Sequence, residues 1–189
     1  MGFGLLFVGY LFLVMIPFGP GFTLACVGYL IMTAALGRLK DYEPLFGYAR
    51  YPAVLLVPLS LADTLAGFFP AFFGAGMTRV LSVALCVATA LFHLLLLLAM
   101  ARILRDVEQP LAARRVTILL VCNLLYFAGM AVINLRLFTV SAKLLVMFDC
   151  AWNLLLLFNS FRIFHCYRTI CPEGMENDPG FLPSGKGGL

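Results

Sequence analysis

Charge is what this chain has least of. Asp, Glu, Lys and Arg make up 12% of its 189 residues, against 63% hydrophobic residues and a mean hydropathy of +1.02. A soluble domain of this length has too small an interior to hide that much apolar side chain, which excludes an ordinary globular enzyme or binding module. The formal net charge of +4 is too modest to call for a nucleic-acid partner. Familiar chemical signatures are missing as well. There is no P-loop, no dinucleotide fingerprint, no HExxH and no GxSxG, so no cofactor is expected. Residues Met1 to Tyr10 hold neither Lys nor Arg, so the chain starts without the basic region of a signal peptide. Cysteines are present, but Cys26, Cys86, Cys122 and Cys150 lie inside apolar runs, and Cys166 and Cys171 sit beside the last run. That distribution does not suit a disulfide framework.

What the chain does have is a series of apolar runs divided by polar ones. A bilayer-spanning helix takes about 20 residues, so six spans use about 120 and leave room only for short loops and a tail. The runs fall at about Gly4–Phe18, Phe22–Leu36, Tyr51–Phe69, Val80–Ala101, Val116–Leu135 and Leu144–Ile163. The first two are short and flank Gly19-Pro20-Gly21, a strong turn signal, so they predict either a tight hairpin or a re-entrant loop. Pro52 suits the first turn of the third span, whereas Pro58 lies inside it and is expected to kink it. Phe69 to Gly74 reads as an aromatic interface loop. Residues 171–189, rich in Pro, Gly and acids, read as a flexible cytosolic tail to a single bundle formed by 1–170.

The basic residues orient this array. Arg38, Lys40, Arg50, Arg102, Arg105, Arg114, Arg115, Arg162, Arg168 and Lys186 fall on one side, and only Arg79, Arg136 and Lys143 on the other, ten against three. By the positive-inside rule both termini are cytosolic and the number of spans is even. The fold class expected is therefore all-α: a polytopic integral membrane protein of about six transmembrane helices. It is expected in a plasma membrane, that of a bacterium, with the lipid bilayer as its first partner.

Polar residues within the spans are costly and usually face the bundle interior or a wet cavity. At about 100° per residue, Ser82, Cys86, Thr89 and His93 share an arc of about 60° on the fourth span. Asp149, Asn153 and Ser160 form a stripe on the sixth. Asn123 and Asn134 are separate points on the fifth, and Asp63 stands alone on the third. Asp63 and Asp149 both lie roughly 9 Å below the outer boundary at about 1.5 Å of rise per residue, near Asn134 and Arg136. Asp63, Asp149, Asn134, Asn153 and Arg136 are therefore the expected ligand-binding set, in the outer half of the bundle. His93 and Asn123 are expected as deeper buried polar groups that could meet. Cys86 and His93 share a face but stand about 10 Å apart in height, too far for direct nucleophile activation. His165, Cys166 and Cys171 offer three ligands without a fourth, so no metal site is expected. Phe161, Phe164 and Tyr167 read instead as interface anchors.

In size and span count the chain resembles the substrate-binding subunits of energy-coupling-factor vitamin importers, which implies a solute-binding membrane protein. In length and span count it also resembles the accessory-gene-regulator peptidases. In that family a His precedes the Cys; here Cys86 precedes His93, and no catalytic role carries over. The function expected is a solute-binding or transport component. The alternatives are an accessory or regulatory membrane subunit, held to a membrane-protein partner through its cytosolic arginine-rich loops, and a membrane-embedded enzyme. The orientation is directly testable: in cells, Gln109→Cys should resist an impermeant thiol reagent while Thr139→Cys reacts, and labelling of Gln109→Cys from outside would invert the topology.

Overall fold

The computed structural model describes residues 2–14, 24–135 and 141–170. They form six helices: α1 Gly2–Leu13, α2 Ala25–Leu39, α3 Pro44–Phe68, α4 Ala75–Asp106, α5 Pro110–Asn134 and α6 Ala142–Ile170. Four of them, α3 to α6, are long and apolar enough to cross a membrane. The chain is thus an all-helical membrane protein. The described parts of α1 and α2 are 12 and 15 residues long. At about 1.5 Å per residue that gives roughly 18 and 22 Å, less than the hydrocarbon thickness of about 30 Å. The turn at Gly19-Pro20-Gly21 lies outside the described residues, as do Arg136 and the tail 171–189.

Local chemistry sets the helix limits, and in places shifts them from the expected spans. Glu43 is extended and Pro44 occupies the first turn of α3. Proline is suited to that position because its missing N–H has no intrahelical partner there. The third helix therefore starts seven residues before the expected span, and the polar loop shrinks to residues 40–43. Pro52 is then an interior residue rather than a first-turn one, and α3 runs through Pro52 and Pro58 as a single helix. Membrane helices tolerate such prolines where neighbouring groups take up the freed carbonyls. Pro110 opens α5 in the same way. Between α4 and α5, Glu108 takes a left-handed conformation with φ 56, and the Gln109 amide donates to the Leu104 carbonyl at 2.9 Å. That is a helix-ending pattern, which lets α4 turn straight into α5. At the other limit α6 continues past Ile163 to Ile170, because α1 packs along it: Phe7 meets Phe164 with ring centroids 5.2 Å apart, and Cys166 is buried.

The helices pack in chain order. Each touches the next, and α1 against α6 closes the circuit, with α4 also reaching α6 thinly. We call the end carrying the 69–74 loop the upper end and the one carrying the 40–43 and 107–109 loops the lower end. The lower half is dense. Phe46, Leu36, Leu39, Leu96, Leu97, Met100 and Leu104 are fully or almost fully buried there. Arg102 pairs with Glu43 at 3.5 Å across its rim. The upper half is open: residues 142–147 of α6 and 75–80 of α4 are exposed throughout. Large apolar side chains such as Leu55, Val80, Leu125 and Phe161 cover the outside, as lipid contact requires.

The α1–α2 pair depends on a backbone contact. A Cβ on Gly28 would stand 2.7 Å from the Gly9 carbonyl oxygen, and one on Gly9 would stand 2.9 Å from the Gly28 oxygen. Backbone cannot give way as a side-chain tip can. Gly28→Ala should therefore destabilise the folded protein by about 1–3 kcal/mol despite the better helix propensity of alanine. Gly67, on α3, has nothing within 4 Å of its would-be Cβ. Gly67→Ala should stabilise by about 0.5–1 kcal/mol. Chemical unfolding in micelles checks both signs.

Candidate functional site

The polar stripe on α4 organises the interior. At its upper end a cleft of about 340 Å³ opens between α4 and α5, lined by Ala75, Thr78, Arg79, Ser82, Ile133 and Asn134. The α4 residues recur every three or four positions, so they share one helix face. Among the described residues Arg79 is the only ionisable one in the lining, and it makes no ion pair with any of them. Thr78 donates its hydroxyl to the Gly74 carbonyl at 3.3 Å. The walls thus offer a guanidinium, two hydroxyls and a carboxamide beside the apolar Ala75 and Ile133. One turn deeper, the Cys86 thiol donates to the Phe127 carbonyl at 3.9 Å and lies within hydrogen-bonding reach of the Asn134 side chain. Tyr126 is within electrostatic reach of both Cys86 and Asp149.

Below this the stripe enters an aromatic centre. His93 is 1% exposed and sits among Phe92, Trp152, Tyr10 and Phe127, whose ring centroids lie 5.1, 5.4, 5.8 and 5.8 Å away. These rings come from α1, α4, α5 and α6, so His93 marks the junction of four helices. Its Nδ1–H donates to the Thr89 carbonyl at 2.8 Å, since a carbonyl only accepts. In the neutral ring Nε2 then carries the lone pair. Neither Nε2 nor the Tyr10 hydroxyl has a hydrogen-bond partner among the described residues. The Tyr29 hydroxyl, from α2, lies within reach of the Thr89 side chain.

Asn123 is also buried, but its partner is not His93. It exchanges reciprocal amide hydrogen bonds with Asn159 of α6, at 3.3 and 3.2 Å, and its Nδ2 also donates to the Leu119 carbonyl at 2.8 Å. The pair joins α5 to α6 below the aromatic centre. The structure does not bring the two acids together. Asp63 and Asp149 are both exposed. α3 packs on α2 and α4, while α6 packs on α5 and α1, so the two helices lie on opposite sides of the ring. Each acid instead stands within roughly 11 Å of the upper end of its helix, near the interface where water and headgroups reach. Asn153 is half-buried and donates to the Asp149 carbonyl at 3.0 Å, within its own helix. Arg136 lies outside the described residues. Of the described members of the expected ligand set, Asn134 alone lines the cleft.

Cys86 and His93 each have other partners, so they form no nucleophile–base pair. Among the described residues no three His, Cys, Asp or Glu side chains converge in a way that could hold a metal ion. Several residues of this interior escaped the sequence reading, Thr78 of the cleft wall among them. Arg79 counted there only as a charge, yet it stands three residues before Ser82, on the same side of α4. Asn159 lies 11 residues from the lower end of α6 and Asn123 13 from that of α5, a near match in depth that the expected span limits hid. Tyr10 looked like one more aromatic in an apolar run, and nothing in its own helix marks it.

Comparison with protein families, with characterised proteins and with solved structures finds no match to this chain. The site therefore has to be argued from its own geometry. The amide pair yields a test of interior packing. In a double-mutant cycle of Asn123→Ala and Asn159→Ala, followed by the fluorescence of Trp152, the single tryptophan, the coupling energy should fall near 0.6–1.7 kcal/mol, roughly the range for hydrogen bonds between membrane helices. Strict additivity would mean that the pair is not formed.

Proposed function

We propose that the chain is a solute-binding or transport component of a cell membrane, and that it takes a small carboxylate-bearing solute in the cleft between α4 and α5. In this reading the chain crosses the membrane six times, both termini are cytosolic and the upper end faces outward. The excess of basic residues on the other side supports that orientation. One observation carries the functional reading: Arg79, free of any ion pair among the described residues, converges with Thr78, Ser82 and Asn134 on a cleft of about 340 Å³. That volume falls in the range of small-molecule pockets, about 300–1,000 Å³. A guanidinium fork suits a carboxylate in bidentate geometry, and the hydroxyls and carboxamide suit the remaining polar groups of a small solute. Asn134 serves from the expected set, and Asp63, Asp149 and Asn153 have no part in binding. The polar stripe that continues through Cys86 and Thr89 to His93 gives the cleft a direction, toward the middle of the bundle.

The test is titration of the purified protein with a panel of mono- and dicarboxylates, read by Trp152 fluorescence and by thermal shift. At least one should bind saturably. Arg79→Gln should weaken that binding by about 1.5–3 kcal/mol, ten- to a hundredfold or somewhat more. Asp63→Asn should leave it unchanged. Absence of saturable binding across the panel, or binding indifferent to Arg79→Gln, contradicts the proposal.

A further inference from the structure

A second groove lies at the lower end, between α5 and α6, on the side away from the core. It has a volume of about 180 Å³ and is lined by Arg115, Ile118, Leu119 and Cys122 of α5 and by Phe158 and Arg162 of α6. Its origin is the amide pair. Asn123 and Asn159 turn inward to bond each other, so the residues just before them, Cys122 and Phe158, are turned outward and are exposed. The interface between α5 and α6 is slighter than that between α4 and α5, and the space it leaves forms the groove. The floor is apolar, and the two arginines stand over one end of it. Neither makes an ion pair among the described residues.

Depth and charge together say what fits. Asn134 and Arg115 are 19 residues apart on α5, and Ala142 and Arg162 are 20 apart on α6. At about 1.5 Å per residue both intervals are close to the hydrocarbon thickness of about 30 Å. With the upper ends of these helices at one boundary of the bilayer, both guanidinium groups stand at headgroup level on the other, and the apolar floor runs from them into the hydrocarbon layer. We propose that this groove is a binding site for an anionic phospholipid. Its phosphate is held between Arg115 and Arg162, and one acyl chain lies along Ile118, Cys122 and Phe158. Two forked cations match a phosphate in geometry and charge, and basic recesses between helices on the cytoplasmic side select anionic headgroups in this way. A zwitterionic lipid offers the same chains, but its own cation opposes the arginines. The inference rests on the membrane location and the groove, and it is independent of the solute proposal.

The experiment is native mass spectrometry of the full chain, delipidated in micelles and then titrated with phosphatidylglycerol or with phosphatidylcholine of the same acyl chains. Phosphatidylglycerol should be retained preferentially. The double variant Arg115→Gln/Arg162→Gln should weaken it roughly thirtyfold, the factor expected for two basic residues at the usual increment per residue. Cys122→Trp fills the groove from an exposed position and leaves both arginines in place, so it should fold and still lose the lipid. It keeps the test decisive if the double variant fails to fold. Equal retention of the two lipids, full retention by Cys122→Trp, or displacement of the lipid by inorganic phosphate would overturn the site.

Discussion

An apolar helix of 32 residues that carries Thr78, Ser82, Cys86, Thr89 and His93 along one arc cannot be placed freely in a bilayer. The hydrocarbon layer supplies no partners for those groups, so the arc must face protein or water. The rest of the architecture accommodates that requirement. α3 and α5 flank α4, which leaves the arc facing the space enclosed by the ring. Rings from α1, α5 and α6 close over the lower part of the arc at His93, and Tyr29 of α2 reaches Thr89. The upper part borders the cleft between α4 and α5, whose described lining is largely polar.

Among the described residues, the two halves of the bundle differ in how many helices they hold. The described lengths of α1 and α2 cover only the lower portion of the longer helices. Gly2 lies against Leu39, Gly4 faces Tyr167, and Tyr10 reaches the level of His93. Six helices share the lower half, and their close approach at Gly9 and Gly28 draws that half tight. In the proposed reading, the dense lower half holds the cleft on firm elements, as precise placement of ligand-contacting side chains requires. The same geometry explains why the exposed acids need no partner across the bundle: both stand near the upper interface rather than in its apolar middle.

Much of this was legible before the structure. Composition gives a membrane protein, and apolar runs of about 20 residues make its spans helical. The arc from Ser82 to His93 was equally legible, since rotation about a single helix axis needs only the helical period. What failed was everything that depends on two helices at once. Asp63 and Asp149 match in depth, but depth says nothing about which helices are neighbours, and the ring order separates α3 from α6. Asn123 was paired with His93 on depth, while its partner proved to be Asn159, on a helix that shares its interface. Arg79 belongs to the arc by spacing yet was read only as a topological charge. The start of α3 was placed late because Arg50 looked like a loop residue. In a membrane protein a charged residue near a boundary can sit on an exposed helical turn, and Pro44 gives the truer start.

The central claim is that the α4 arc is wet at its top, dry at its centre and nowhere in contact with lipid. Site-directed spin labelling of single cysteines placed at Thr78, Ser82, Thr89 and His93, with the protein in bilayers, measures this directly. A water-soluble relaxation agent should reach labels at Thr78 and Ser82 and should be excluded from Thr89 and His93, with oxygen accessibility low at the two deeper positions. High oxygen accessibility at Thr89 and His93 would place the arc against lipid, and the account of both the fold and the cleft would then be wrong.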